Sequence, residues 1–97
     1  MAFVQLVEFR SSDIEGIREA GDDWSRATEG KRTARRLMLT RDHNDPDRHI
    51  MIAFFDSYES AMVNSGLPET KASADEFAAL SDGPPTFYDL DVIDDQI

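Results

Sequence analysis

The chain has 97 residues, which suffices for one small hydrophobic core, and we expect a single domain over residues 1–97. Twenty acidic against ten basic residues give a net charge of −10, which disfavours binding to nucleic-acid phosphates and to anionic membrane surfaces. The sequence has no bilayer-spanning apolar run, no signal-peptide pattern at its N-terminus and no cysteine, so we expect a cytoplasmic protein.

The hydrophobic pattern and the turn residues predict elements in the order β-α-β-β-α-β. These are a strand over 3–10, a helix over 13–28, strands over 33–41 and 48–55 joined by a turn at 42–47, a broken helical stretch over 57–80, and a strand over 86–93. This order is that of the split βαβ, or ferredoxin-like, plan. The predicted fold class is therefore α+β with a four-stranded antiparallel sheet.

Capping patterns predict where the helices start. Ser12 with Glu15 forms a capping-box pattern before the first helix, and Asp56 with Glu59 repeats this pattern before the second. Gly21 falls on the apolar stripe of the first helix, where glycine costs about 1 kcal/mol relative to alanine. We expect close packing of Gly21 on the sheet to offset this cost.

The predicted strands bear on assembly. In the split βαβ plan the first and third strands are central, and here both are apolar on both faces, whereas the last strand alternates between apolar and acidic residues. Two helices cover one face of a four-stranded sheet, and a sheet with one solvated face should alternate throughout. We therefore expect a second copy of the chain to cover the other face, which makes a homodimer.

Charge is distributed unevenly along the chain. Residues 1–41 carry eight basic and seven acidic side chains, and residues 42–97 carry two basic and thirteen acidic ones. Basic residues cluster at the start of the second strand (Lys31, Arg32, Arg35 and Arg36), and aspartates line the last one (Asp89, Asp91, Asp94 and Asp95). Two interpretations are open: the two edges are independently solvated, or they meet across the dimer.

One part of the sequence resembles a known superfamily. In residues 54–62 a strand runs into a short capped helix, and Pro68-Glu69-Thr70 then opens the next helix. These features, with the element order of nearly the whole chain, resemble the dimeric α/β-barrel superfamily, which includes cofactor-independent antibiotic biosynthesis monooxygenases, haem-degrading monooxygenases and stress-responsive barrel proteins. The resemblance implies a dimeric α/β barrel, with two sheets packed face to face and a small ligand between each sheet and its helices.

The chain departs from the haem-degrading members of that superfamily. They place a histidine ligand in the second helical region, where this chain has Asn64, and no histidine follows His49. We therefore expect no cofactor, and neither tight haem binding nor haem degradation. The acidic turn at 42–47 lacks the glycine and glutamate positions of a calcium loop, so no metal site is predicted.

Four residues are candidate ligand-binding residues: Trp24 on the inner stripe of the first helix, His49 at the start of a central strand, and Tyr58 and Asn64 on the broken helix. Such groups suit the orientation of an acidic phenol and the stabilisation of its anion. Structural roles compete: Trp24 as a core aromatic, His49 at a strand end, Tyr58 beside the helix cap and Asn64 at a helix end. No catalytic residue is assigned.

The break at 66–68 predicts where a site lies, because two short helices cannot seal a sheet face as one long helix would. Trp24, Met62 and Phe77 would supply an apolar lining there. Two functions remain open. One is a dimeric barrel that binds a small apolar or aromatic molecule without catalysis, since the sequence offers no dedicated acid–base pair. The other is a cofactor-independent monooxygenase or isomerase that acts on a small aromatic or polyketide-like substrate.

Overall fold

The structure, a computed structural model, describes residues 2–96 as a four-stranded sheet with helices against one face. In chain order the elements are β1 (Phe3–Arg10), α1 (Ile14–Ala27), β2 (Arg36–Asp42), β3 (Asp45–Phe55), α2 (Tyr58–Ser65), α3 (Pro68–Leu80) and β4 (Thr86–Asp91). The strand order is β2-β3-β1-β4, and every neighbouring pair is antiparallel. The predicted ferredoxin-like α+β fold is confirmed, with β1 and β3 central and the second helical region broken in two.

The element bounds differ most from prediction at the starts of β2 and β3. β2 begins at Arg36 rather than at residue 33. β3 begins at Asp45 rather than at residue 48, and Asp45 pairs with Asp42 across the turn. The turn is tighter than the acidic run implied, because Asp42 Oδ1 accepts a hydrogen bond from the Asn44 amide at 2.8 Å and closes it locally. At the other end of the sheet, β4 ends at Asp91 instead of residue 93.

The first helix is capped one residue later than the sequence pattern predicted. Asp13 Oδ1 accepts a hydrogen bond from the Gly16 amide at 3.0 Å, and Ser11 Oγ accepts one from the Asp13 amide at 3.1 Å. The predicted box of Ser12 and Glu15 is therefore wrong. Three residues able to cap a helix stand side by side at 11–13, and the pattern alone does not select among them.

The second helix repeats this difference. Ser57 and Ser60 form its capping box, with reciprocal amide-to-hydroxyl hydrogen bonds of 3.1 and 3.2 Å. Asp56, which was predicted to cap, instead accepts hydrogen bonds from Arg35 Nη2 at 2.8 Å and Nε at 3.0 Å. These bonds hold the pKa of Asp56 below its ordinary value.

The helix face of the sheet is packed at both ends. At one end Phe3, Phe55 and Ala61 form a buried cluster. At the other end Phe9 packs against the ring of buried His49, with centroids 5.4 Å apart, and against Phe77 at 6.0 Å. The volume between these two ends is not filled, and the candidate site lies there. Among residues 2–96, no helix has the length and apolar character needed to cross a bilayer.

The capping geometry makes a testable prediction. Replacing Asp13 by alanine removes the acceptor for the Gly16 amide and should lower the free energy of unfolding by about 1 kcal/mol. Ser12→Ala, at an exposed position, should change it by less than about 0.5 kcal/mol. Urea denaturation followed by circular dichroism measures both variants. A larger loss in Ser12→Ala than in Asp13→Ala would contradict the assignment.

Candidate functional site

A cavity of about 170 Å³ lies between the middle of the sheet and helices α1 and α3. Side chains of the central strands that point toward the helices form its floor: Gln5, Val7, Met51 and Ala53. An engineered cavity of about 150 Å³ holds benzene, so this cavity has room for a single substituted aromatic ring.

Trp24 forms the α1 wall of the cavity. Its indole nitrogen Nε1 donates a hydrogen bond to Thr70 Oγ1 on α3 at 3.0 Å. The guanidinium of Arg32 lies 5.9 Å from the ring centroid, within the range of a cation–π contact. These contacts hold the indole at the side of the cavity, so Trp24 borders the open volume instead of filling it.

Asn64, near the end of α2, forms another part of the wall. Only 7% of the residue is exposed, and its Oδ1 accepts a hydrogen bond from the Thr33 amide at 3.3 Å. This bond ties the end of α2 to the segment that leads into β2. Asn64 therefore has a structural role and faces the cavity as well.

His49 and Tyr58 lie outside this cavity. His49 is buried on β3, where its ring nitrogens lie 3.2 Å from the Thr40 carbonyl oxygen and 3.3 Å from that of Ser11. It lines a neighbouring open groove between α1 and β2. Tyr58 is 50% exposed and sets its ring against that of Phe3, with centroids 5.5 Å apart. Of the four candidate residues, the structure brings only Trp24 and Asn64 together around the cavity.

Small residues keep the cavity open, and the sequence analysis did not assign them to a site. Gly21 of α1 and Ala53 of β3 face it together with Ala74 and Ala78 of α3. A Cβ atom built on Gly21 meets no heavy atom within 4 Å, so the expected close packing of Gly21 on the sheet is wrong. In the sequence, small residues at inward-facing positions could have indicated the cavity. Close packing of a helix on a sheet requires the same small residues, so the sequence alone does not distinguish the two. Met62, predicted to line the site, is instead 37% exposed on α2.

The lining is apolar with a few hydrogen-bonding groups. The polar side chains that reach it are Gln5, Asn64, Thr70, Ser73 and Ser81. No histidine, carboxylate, lysine or arginine of residues 2–96 lines it, so the walls offer hydrogen bonds without an acid–base pair. In the same part of the chain, no three His, Asp or Glu side chains come together as a metal site requires.

The opposite face of the sheet, here called the outer face, carries no helix. By strand register it contains Val4, Leu6, Met38, Ile50, Ile52, Phe54, Tyr88 and Leu90. Tyr88 and Leu90 on the edge strand are 43% and 44% exposed. The central strands are thus apolar on both faces, as the sequence predicted, and nothing within residues 2–96 covers the second one.

A cluster of charged residues borders the outer face at one end. Arg48 donates to Glu8 Oε2 at 2.7 Å through Nε and to Asp42 Oδ2 at 2.9 Å through Nη1. Tyr88 donates its hydroxyl proton to Glu8 Oε1 at 3.2 Å. The Asn44 amide and then the Arg48 guanidinium hold the pKa of Asp42 below its ordinary value. The cluster satisfies its own charges within one chain.

Most of the basic cluster at the start of β2 is also paired within the chain. Lys31 pairs with Glu69, Arg35 with Asp56, and Arg32 with the backbone oxygen of Ser25. Arg36 makes no ion pair with any other residue in the 2–96 range. Of the two interpretations of the charge pattern, pairing across a dimer therefore depends mainly on Arg36.

No protein-family model matches this sequence, and no curated protein matches it. Solved structures match it in fold. SnoaB, a cofactor-independent oxygenase from Streptomyces nogalater, superimposes with a TM-score of 0.81 at 12% identity, over 97% of this chain and 95% of that one. Rv0793 from Mycobacterium tuberculosis gives 0.79 at 13% identity, over 98% of each chain. An antibiotic biosynthesis monooxygenase gives 0.75 at 14% identity, over 97% of this chain and all of the other.

These likenesses establish the architecture of the chain. It has the ferredoxin-like fold of antibiotic-biosynthesis-monooxygenase-like proteins, and the resemblance inferred from residues 54–70 is confirmed at the level of fold. Identities of 12–14% carry no assignment of activity, because one fold hosts many functions.

The open space beside Gly21 makes a second prediction. Gly21→Ala should raise the free energy of unfolding by about 1 kcal/mol, because alanine favours the helix and its methyl group meets no neighbour. Gly16→Ala is the matched control within α1, since its Cβ would lie 2.6 Å from Asp13 Oδ2 and disturb the cap. Its gain should be smaller by about 1 kcal/mol. Equal gains in urea denaturation would show that the two sites do not differ as described.

Proposed function

We propose that the protein is a homodimer that binds a small apolar or aromatic molecule, without catalysis, in the cavity between the sheet and helices α1 and α3. The observation that carries this proposal is the cavity itself: about 170 Å³, lined mainly by apolar side chains, bordered by Trp24 and free of an acid–base pair. Sites for small molecules generally combine an apolar lining with a few polar groups that fix the orientation of the ligand.

The energetics of packing support a ligand. Enclosed cavities in protein cores cost about 24 cal/mol per Å³, so a volume of 170 Å³ that is partly open to solvent would cost less than about 4 kcal/mol. That is a large part of the roughly 5–15 kcal/mol that stabilises a typical domain. A molecule that fills the cavity recovers part of this cost by removing apolar surface from water.

The second candidate function is a cofactor-independent monooxygenase or isomerase that acts on a small aromatic or polyketide-like substrate. It is favoured by the fold shared with SnoaB, a cofactor-independent oxygenase, and by the presence of Trp24 and Asn64 in the cavity wall. The uncharged lining weighs against it, because no side chain there takes a proton from the substrate. Consumption of dissolved oxygen with methylhydroquinone, above the spontaneous rate and abolished by Gly21→Leu, would support catalysis over binding.

The absence of a haem cofactor stays a prediction. The histidines of the sequence are His43 and His49, and neither lines the cavity. Asn64 faces the cavity from the helical region where haem-degrading proteins were expected to carry their ligand.

The homodimer is proposed from the outer face of the sheet. Its central side chains Leu6, Ile50 and Ile52 are not covered by any other element of residues 2–96, and a contiguous apolar face of this kind marks an interaction surface. A second copy laid on it face to face would form a dimeric α/β barrel. Burial of the cluster around Arg48 would cost less than burial of unpaired charges, because its charges are already paired within the chain.

The dimer is tested by placing a charge on the outer face. Wild-type protein at micromolar concentration should scatter light as a dimer, and Ile52→Asp should weaken the dimer at least 100-fold, because a carboxylate would be buried without a partner. Val63→Asp is the matched control, since Val63 is 56% exposed on α2, away from this face. A monomeric wild-type protein would refute the proposal.

Light scattering also tests whether charge pairing between the sheet edges contributes to the dimer. Arg36→Glu should weaken the dimer and change its salt dependence if the acidic β4 of the partner lies near β2. Arg35→Glu should do so less, because Arg35 already bonds Asp56 in its own chain. A dimer unaffected by Arg36→Glu would leave the face-to-face packing standing without charge pairing between edges.

Ligand binding is tested with ethylbenzene and the fluorescence of Trp24, the single tryptophan. We expect a saturable change in Trp24 fluorescence, with a dissociation constant on the order of 0.1–1 mM. The eight heavy atoms of ethylbenzene, at about 0.6 kcal/mol each, give a binding free energy of about 5 kcal/mol. Gly21→Leu should abolish it by filling the cavity, whereas Ala27→Leu, at an exposed position of α1, should not. No saturation in wild-type protein up to the solubility limit would contradict the proposal.

A further inference from the structure

The floor of the cavity contains an amide side chain whose orientation is fixed. Gln5 on β1 stands between Ala53 of β3 and Asp89 of β4. Its Nε2 lies 3.1 Å from Asp89 Oδ1, and because a carboxylate only accepts hydrogen bonds, this contact requires the amide nitrogen on the β4 side. Within residues 2–96 no side-chain or backbone donor bonds to the carbonyl oxygen Oε1, so Oε1 is the polar atom of Gln5 that is left for a molecule in the cavity.

The second side-chain amide in the lining, that of Asn64, has its oxygen rather than its nitrogen engaged in a hydrogen bond. The Thr33 backbone amide donates to Asn64 Oδ1 at 3.3 Å, and because a backbone N–H only donates, the amide oxygen must face it. The nitrogen Nδ2 is then the remaining polar atom of Asn64. Within residues 2–96 no acceptor bonds to this nitrogen. Asn64 lines the cavity, so Nδ2 is available to donate a hydrogen bond to a molecule there.

The other polar groups of the lining do not impose a direction. Trp24 Nε1 is already bonded to Thr70 Oγ1, and Ser81 Oγ donates to the Phe77 carbonyl oxygen at 2.8 Å. The hydroxyl groups of Thr70 and Ser73 rotate and serve as donor or acceptor as needed. The two amides therefore determine the hydrogen-bonding polarity of the cavity.

The charges around the cavity disfavour an anion. No cationic side chain of residues 2–96 lines it, and the carboxylate of Asp89 stands directly beside Gln5. An anionic ligand would lose its hydration without gaining a counter-charge, and the Asp89 carboxylate, just outside the lining, would repel it.

We propose that Gln5 is a specificity-determining residue, and that the cavity selects a neutral, single-ring-sized molecule carrying both a hydrogen-bond donor and an acceptor. The donor, such as a hydroxyl group, meets Gln5 Oε1, and the acceptor, such as a ketone oxygen, meets Asn64 Nδ2. This inference rests on the proposed ligand-binding function and names the chemistry of its ligand.

The test compares four probes of similar size by titration calorimetry at pH 6.5. Hydroxyacetophenone, as the better of its 3- and 4-isomers, carries both groups; the corresponding methoxyacetophenone lacks the donor, and 4-ethylphenol lacks the ketone. The fourth probe, 4-hydroxybenzoate, is anionic. Hydroxyacetophenone should bind about fivefold to tenfold more tightly than either neutral analogue, since one net hydrogen bond contributes about 1 kcal/mol. 4-Hydroxybenzoate should bind at least tenfold more weakly than hydroxyacetophenone.

Variants assign the preference to Gln5. Gln5→Leu should bring the affinity ratio of hydroxy- to methoxyacetophenone to about one. Asp89→Ala, on the exposed edge strand, frees the amide to rotate and should lower the ratio at least twofold. Gln96→Leu is the matched control: Gln96 also donates to an aspartate, Asp94 at 2.7 Å, but lies in an exposed segment that does not line the cavity. Its ratio should equal that of the wild type.

The outcomes separate this inference from the proposed function. A hydroxyl preference that survives in Gln5→Leu, or 4-hydroxybenzoate binding as tightly as the neutral probes, would overturn the inference and leave the cavity as an apolar ligand site. If ethylbenzene and all four probes fail to bind the wild-type protein, both the inference and the proposed function are wrong.

Discussion

The structure depends on one constraint. The two central strands are apolar on both faces of the sheet, but the helices cover only one of these faces. Because side chains alternate along a strand, β1 and β3 send Phe3, Val7 and Phe9 toward the helices and Val4 and Leu6 away from them. The helix side yields the core and the cavity. The other side yields the surface on which the proposed dimer depends. The proposed ligand site and the proposed dimer interface thus lie on opposite faces of the same four strands.

The helix face combines rigidity at its ends with space at its centre. The clusters around Phe55 and around His49 pack the two ends of the helix face of the sheet. Small side chains between these clusters leave the cavity unfilled. The hydrogen bond from Trp24 to Thr70 joins α1 and α3 across one side of this volume. A site formed in this way is shaped before any ligand arrives, which lowers the conformational cost of binding.

Much of the fold could be predicted from the sequence, because period-two alternation, helical stripes and turn residues act locally. The pattern also identified the two-sided apolar strands, since strand periodicity reports both faces at once. It did not fix the cap at Asp13, where neighbouring residues compete for the same role. Nor did it separate Trp24 and Asn64, which share the cavity, from His49 and Tyr58, which do not. A sequence pattern gives the face on which a side chain lies but not the distances between side chains on different elements. The sequence therefore could not show which two of the four candidate residues lie together at the cavity.

The small residues around the cavity have a consequence for how such a protein changes over evolutionary time. Gly21, Ala53, Ala74 and Ala78 stand on three different elements, and of the four only Ala53 packs against the cluster of Phe3, Phe55 and Ala61. Each addition of a methyl group at one of them would reshape the cavity from a different direction while leaving the strand register untouched. A scaffold of this kind is evolvable: the shape of its cavity can be changed through single substitutions without rebuilding the sheet that supports it.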